Sequence, residues 1–296
     1  MVAEPDQPDA AGVRRGSTVT FGNRLRAAMD DRGPLCAGID PHPSLLAEWG
    51  LADSVDGLER FALAAAEALA PVVAAVKPQS AFFERFGSRG IGVLERVLEV
   101  SREAGAVVVL DVKRGDIGST AQGYADAYLD PRSPLAADAI TASPYLGFGS
   151  LTPMLDTART HGAGVFVLAL TSNKEGPEVQ WARGADGASV AGHVLSELRR
   201  LNAGQPGLGS FGAVVGATIG GDPADRGEDL AINGPLLVPG FGAQGGTVDD
   251  LRRIFGSVRH QVLASSSRAI LRAGPDGTAL ADAARRTAEE MGGMLG

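Results

Sequence analysis

Eight short apolar segments, each followed by a helical pattern, predict an α/β chain closed into a single (β/α)8 barrel, the TIM-barrel fold. Three observations carry this expectation. Strand and helix patterns alternate along the chain, so the strands run parallel and need helices to cover them. The length of 296 residues suits eight such units, since barrels of this kind typically need about 250 residues. Polar residues stand at the end of one strand candidate after another, where a parallel barrel gathers its chemistry. An open doubly wound sheet is the competing fold for the same alternation.

Residues 1–18 hold scattered acids, Pro5, Pro8 and the basic pair Arg14 and Arg15 without an apolar signal core. They are expected to form a flexible N-terminal arm, with the barrel domain occupying 19–296. A short helix is expected near 22–31. Apolar runs place the strands near 35–40 (LCAGID), 72–77 (VVAAVK), 106–112 (AVVVLDV), 138–142 (DAITA), 164–170 (GVFVLAL), 212–218 (GAVVGAT), 235–239 (PLLVP) and 261–266 (QVLASS). The fourth and seventh are the shortest, with Pro144 and Pro239 close to their ends. Alanine- and leucine-rich patterns place helices near 54–70, 91–103, 119–129, 150–160, 188–202, 222–231, 247–257 and 278–293. The forty-one glycines and seventeen prolines follow no collagen period, so they read as turn punctuation.

Composition narrows the function. A net charge of −8 argues against nonspecific nucleic-acid binding, while leaving room for a local basic pocket that takes one small anion. Cys36 is the only cysteine, which rules out an intrachain disulfide and a cysteine zinc cluster, and it reads as a small core residue. No apolar stretch approaches the roughly 20 residues that span a bilayer, so a soluble cytoplasmic protein is expected. His42, His161, His193 and His260 form no ligand constellation, and no metal is expected.

The segment VLDVKRGDIGST, from Val109 to Thr120, is the most informative in the chain. A buried-looking strand runs into Asp111, Lys113 and Asp116, and unpaired charges there are costly, so they must compensate one another or lie at an open strand end. The strand period of two sets Asp111 and Lys113 on one face, about 6–7 Å apart along the backbone. They can act as one electrostatic unit. Gly115 lets the chain turn, so Asp116 need not complete the site of its own subunit. Arg114 faces elsewhere and reads as a surface brace.

The strand ends define one rim: Asp40, Lys77, Asp111 with Lys113, Thr141, Ser172, Thr218, Gln244 and Arg268. Lys77 has two readings, a lysine snorkelling from a strand end or a cation set against Asp111. Asp40, before Pro41, His42 and Pro43, is either a turn or capping residue or an acceptor for a sugar hydroxyl. The glycines of PGFGAQGGTVDD, from Pro239 to Asp250, with Gln244 and Arg268, can offer donors to a phosphate, as loops after strands seven and eight of such barrels often do. The alternative is plain turn-making. The segment lacks the GK[ST] ending of a phosphate-binding Walker loop. Phe82, Phe83 and Phe86 read as packing beneath a loop. Asn173–Ser189, around Trp181, is a mobile cover or an inert insertion.

On the segments CAGIDPHPSLL, VKPQSAFFERFG, LDVKRGDIGST, ALTSN, PGFGAQGG and SSSRAI, distributed over about 35–270, the sequence resembles the longer bacterial branch of the orotidine 5′-phosphate decarboxylase family. The resemblance implies a TIM barrel, a homodimer with composite active sites, and conversion of orotidine 5′-phosphate to uridine 5′-phosphate and carbon dioxide without metal or organic cofactor. It implies that Lys77, Asp111 and Lys113 form one subunit's catalytic group, with Lys113 as proton donor, and that Asp116, with Ile117 and Thr120, serves the neighbouring subunit. It implies further that Asp40 holds a ribose hydroxyl, Ser172 the pyrimidine, and Gln244 and Arg268 the phosphate, with Pro239 at the substrate. Shorter family members differ chiefly from this chain over 176–189 and the N-terminal arm. Two other readings remain: a phosphosugar isomerase or lyase on the same barrel, which needs a base beside an abstractable carbon-bound proton, and a noncatalytic nucleotide-binding regulator. The latter leaves the lysine and aspartate array without a task.

Overall fold

A computed structural model describes residues 19–219, 223–240 and 248–295, and in it eight parallel strands close into one barrel in chain order. The first half runs α1 (Phe21–Arg32), β1 (Leu35–Ile39), α2 (Pro43–Glu48), α3 (Val55–Leu69), β2 (Ala75–Pro78), α4 (Ala81–Glu84), α5 (Gly87–Glu103), β3 (Val107–Arg114), α6 (Gly118–Leu129) and β4 (Ala139–Ala142). The second half runs α7 (Thr152–His161), β5 (Gly164–Leu170), α8 (Gly176–Gln180), α9 (Val190–Asn202), β6 (Phe211–Val215), β7 (Leu236–Pro239), α10 (Val248–Phe255), β8 (Val262–Ser266), α11 (Arg268–Leu271) and α12 (Gly277–Leu295). Closure is made by β8 on β1, with Leu35 opposite Ala264 and Cys36 opposite Ser265. The arm expected over 1–18 lies outside the described residues.

The strand period of two sorts the core into layers. Leu35, Ala37, Val108, Leu110, Ile140, Val165 and Val167 face outward and pack beneath the helices. Cys36, Ala75, Val107, Val109, Ala139, Phe166, Val214, Leu237 and Leu263 face inward and meet Phe21, Leu25 and Met29 of α1. Helix α1 thus plugs the N-terminal end of the barrel, its Phe21 ring edge-on to Phe166 at 5.9 Å. Gly164 opens β5 because a Cβ there would lie 2.3 Å from the Phe21 ring. With one end sealed and the lower interior filled by apolar side chains, the inward stripe can turn polar only at the C-terminal end. Continuing the same parity upward leads from Ala75 to Lys77, from Val109 to Asp111 and from Ala139 to Thr141.

Several boundaries differ from expectation. Residues 72–74 belong to a turn, so β2 starts three residues later than the apolar run. Of the helix expected over 222–231, the described residues 223–231 form one 3-10 turn at Ala224–Arg226 and an irregular segment instead. Gly227 at φ 80° ends the turn in the left-handed region, and Asp229 Oδ1 accepts the Ala231 amide at 2.9 Å, a local bond that competes with helix. Glu228, buried, accepts the Ser189 hydroxyl at 2.6 Å and ties this segment to the start of α9. The stretch from 176 to 189 is folded: α8 is followed by an antiparallel bridge between Arg183 and Ser189, and Arg226 lies 4.5 Å over the Trp181 ring. The short helices α2, α4, α8 and α11 had no counterpart in the pattern, because four to six residues display too little of a 3.6-residue period.

Candidate active site

Strand β3 carries three buried valines and a leucine up to Asp111, whose side chain is only 8% exposed. A carboxylate in such a place needs donors, and four converge on it. Oδ2 accepts Lys77 Nζ at 3.0 Å and Gln79 Nε2 at 3.2 Å. Oδ1 accepts Lys113 Nζ at 2.6 Å and the Thr141 hydroxyl at 2.7 Å. Two donors on each oxygen fill the carboxylate's capacity.

Burial alone would push the Asp111 carboxyl up, but the Lys77 and Lys113 ammoniums and the donors from Lys113 and Thr141 outweigh it and hold the group well below the usual carboxylate range. Burial pulls Lys77 down in turn, and Asp111 with Asp40 more than restores it, so this lysine stays charged above its ordinary range although its side chain is 9% exposed. The two lysines differ in access. Lys77 is enclosed, whereas the Lys113 side chain is 45% exposed and reaches the open end of the barrel.

Asp111 and Lys113 come together, but not by regular alternation. The β3–β4 register slips between Leu110 and Arg114, and Lys113 has φ 45°, in the left-handed region. A long side chain there costs about 1–3 kcal/mol and persists only where its surroundings impose it. Arg114 turns outward to Glu84 and the Tyr128 hydroxyl and lies 5.6 Å over the Tyr124 ring. It braces β3 against α4 and α6.

Beyond Arg114 the chain leaves the barrel. Gly115 passes so close to β4 that a Cβ would lie 2.4 Å from the Ser143 carbonyl oxygen. Asp116 accepts the Ile117 amide at 2.8 Å, and among the described residues it makes no hydrogen bond or ion pair to Lys77, Asp111 or Lys113 of its own chain. Ile117 is 62% exposed, and Thr120 is exposed as well.

Asp40 follows β1 on the same inward stripe. Its Oδ1 is buried without a hydrogen-bond partner among the described residues, close enough to Lys77 to favour that ammonium. His42 packs edge-on against Phe82 at 4.3 Å, its pKa lowered by burial, raised in part by Asp40 and lowered again by Arg268. Arg268 opens α11 and is exposed. Ser172 lies just beyond β5, its amide 3.0 Å from where a Gly216 Cβ would stand, and Pro239 closes β7. Gln244 lies outside the described residues. Cys36 lies one layer below the charges; burial pushes its thiol up to about 12.

Gln79 is the contact that the sequence reading missed. Gln79 stands two residues beyond Lys77 and past Pro78, and only its bridge to Asp111 in the folded chain shows what it faces. A groove of about 1290 Å³ lies elsewhere, between α7 and α9, lined by Phe148, Leu155, Leu168, Val190 and Val194. It holds none of the array, and converging charge locates the candidate site better than concavity does. Among the described residues no cluster of three or more histidine, cysteine or acidic side chains could hold a metal. What the array offers is a fixed row of ammonium, carboxylate and ammonium, the outer ammonium free to meet a developing negative charge and give it a proton.

Residues 33–283 match the Orotidine 5′-phosphate decarboxylase / HUMPS family. An orotidine 5′-phosphate decarboxylase of Nocardioides sp. is 67% identical over 276 residues, covering 92% of this chain and 99% of that protein. One of Streptomyces coelicolor is 60% identical over 271 residues, covering 92% and 96%. A crystal structure of a Streptomyces avermitilis protein is 57% identical and superposes with a TM-score of 0.92 over 96% of this chain and 99% of its own.

Proposed function

We infer that this chain, which belongs to the orotidine 5′-phosphate decarboxylase / HUMPS family, converts orotidine 5′-phosphate to uridine 5′-phosphate and carbon dioxide. The observation that carries the mechanism is the charged row Lys77–Asp111–Lys113 at the open end of the barrel, its first two members buried and Lys113 exposed. Cleavage of the bond from C6 to the carboxylate carbon leaves its electron pair on C6 of the pyrimidine. The Lys113 ammonium stabilises that pair and then donates its proton to C6, and solvent returns a proton to the amine. Asp111 fixes Lys113 and sets a negative charge near the departing carboxylate. Lys77 keeps the Asp111 carboxylate ionised in a site that would otherwise protonate it.

The remaining contacts follow from chemistry at the rim. The buried, unpartnered Oδ1 of Asp40 suits a ribose hydroxyl donor. Arg268 and Gln244 supply cationic and amide donors for the phosphate, and Ser172 with Pro239 borders the base. Ile117 and Thr120, both exposed, and Asp116, half-buried and not bonded to its own array, complete the site of a second copy in a homodimer. No cofactor is required, because the ring and Lys113 handle the charge and the phosphate stays attached. No described helix is long and apolar enough to cross a membrane, and a lone buried thiol suits the cytoplasm.

The test is an assay of purified protein with orotidine 5′-phosphate that follows carbon dioxide release and uridine 5′-phosphate formation together. Equal yields of the two are expected. Nucleotide binding with neither product would overturn the assignment.

A further inference from the structure

Thr141 is the inward residue that follows Ala139 on β4, and it is buried. Both capacities of its hydroxyl are engaged within the charged array. It accepts the backbone N–H of Lys113 at 2.9 Å and donates to Asp111 Oδ1 at 2.7 Å. That same Oδ1 accepts Lys113 Nζ at 2.6 Å. The contacts close a ring from the Lys113 amide through Thr141 Oγ1 and Asp111 Oδ1 back to the Lys113 ammonium.

The ring answers a problem set by the backbone. Leu110 pairs with Ile140 and Arg114 with Ala142, so three residues of β3 stand opposite Thr141 alone. The Lys113 amide therefore needs a donor's partner that the slipped ladder does not provide in register, and the Thr141 hydroxyl is that partner. Lys113 also stands at φ 45°, which a lysine rarely adopts; the only other described non-glycine residue at positive φ is Asn233, a type that tolerates it. Gln79 provides an internal contrast. It too is a neutral donor to Asp111, but it binds Oδ2 and does not touch Lys113.

We propose that Thr141 is a positioning residue for the protonation step: its hydroxyl holds the strained Lys113 backbone and the Asp111 carboxylate together, fixing where the Lys113 ammonium emerges. This rests on the decarboxylase reading. Without the hydroxyl, the amide loses its acceptor, Lys113 relaxes from the left-handed region and its ammonium leaves the line to C6. Nucleotide binding, made by other residues of the rim, is untouched.

The experiment compares wild type with Thr141→Val, Thr141→Ser, Thr141→Ala and Gln79→Leu in the full chain. Valine keeps the branched shape without the hydroxyl, serine keeps the hydroxyl without the methyl, and alanine removes the hydroxyl without adding a methyl beside Asp111. Loss of the hydroxyl is expected to lower kcat about 10²-fold, the scale of a misplaced reacting group. The dissociation constant for uridine 5′-phosphate should stay within about threefold, and Thr141→Ser should recover most of the rate. The acid limb of the kcat profile should move up in valine and alanine, because Asp111 loses a donor that favours its ionised form. Gln79→Leu should move that limb in the same sense with a smaller loss of kcat. Hydrogen exchange at the Lys113 amide, read without any nucleotide, should be protected in wild type and Thr141→Ser and fast in the other two Thr141 variants.

A valine variant with kcat within about threefold of wild type, serine no better than valine, or kcat and nucleotide affinity falling together would overturn the proposal. Equally slow Lys113 exchange in all variants would do the same. Failure of wild type to decarboxylate would sink the functional reading instead, while the exchange data would still decide whether the hydroxyl holds Lys113.

Discussion

Replacing Asp111 by asparagine removes the anion from between two ammoniums while changing shape very little, and the structure fixes both the size and the pH dependence of the consequence. Asparagine presents one acceptor oxygen and an NH2 group where four donors now converge. Lys77 suffers most, because it is enclosed and keeps only the Asp40 carboxylate to favour its charge against burial. Removing one partner of a buried ion pair costs about 3–5 kcal/mol. At roughly 2 °C per kcal/mol for a chain of this length, Asp111→Asn should lower Tm by about 6–10 °C.

The sign of the pH dependence separates this account from simple loss of packing. In the native chain the folded Asp111 pKa is depressed, so its contribution is complete above the unfolded value of about 3.9 and is lost as pH falls towards the folded value. The folded Lys77 pKa is raised, so its contribution is complete below about 10.4 and is lost as pH rises through the folded value. Between about pH 5 and 9 the pair adds a constant stability. In Asp111→Asn the order of terms reverses for Lys77: burial prevails, the folded lysine binds its proton less tightly than the unfolded one, and stability rises with pH. Urea unfolding of both proteins from pH 6 to pH 10 reads this directly. The deficit should shrink steadily with pH, and a deficit below about 1 kcal/mol, or one that stays constant over that range, would refute the reasoning.

Two further outcomes test the proposed site. Lys113→Ala and Asp116→Ala homodimers should each be severely impaired, whereas subunit exchange between them should restore about half the wild-type activity per heterodimer, one site receiving both native residues; complete exchange without recovery would count against a shared site. Arg268→Ala should impair turnover of orotidine 5′-phosphate far more than turnover of orotidine, which has no phosphate to bind, and equal fractional losses on the two substrates would remove Arg268 from that role.

The barrel was legible in the sequence because burial in a parallel sheet demands continuous apolar runs, and each of the eight runs overlaps a strand. The helix expected at 222–231 does not form over the described residues 223–231, because Gly227, Asp229 and the buried Glu228 make specific local and long-range bonds that a hydrophobic period does not register. In the site, charge abutting apolar runs pointed to Lys77, Asp111 and Lys113. What escaped was the means of their meeting. A period of two suggested a regular strand, whereas the structure uses a slipped register and a left-handed lysine, features set by β4 and invisible within β3 alone. Gln79 escaped for a related reason: a glutamine beyond a proline carries no pattern until the neighbouring strand shows what it faces.

The central claim is that the Lys113 ammonium delivers the proton that replaces the departing carboxylate, and single-turnover decarboxylation by Lys113→Ala tests it most directly. Uridine 5′-phosphate affinity measured on the same preparation shows whether the site is still assembled. The account predicts that nucleotide still binds while the rate of product formation from orotidine 5′-phosphate falls by at least about 10⁴-fold, the combined scale of a lost general acid and a lost charge at the reacting carbon. Decarboxylation within about tenfold of wild type, with nucleotide affinity unchanged, would contradict it.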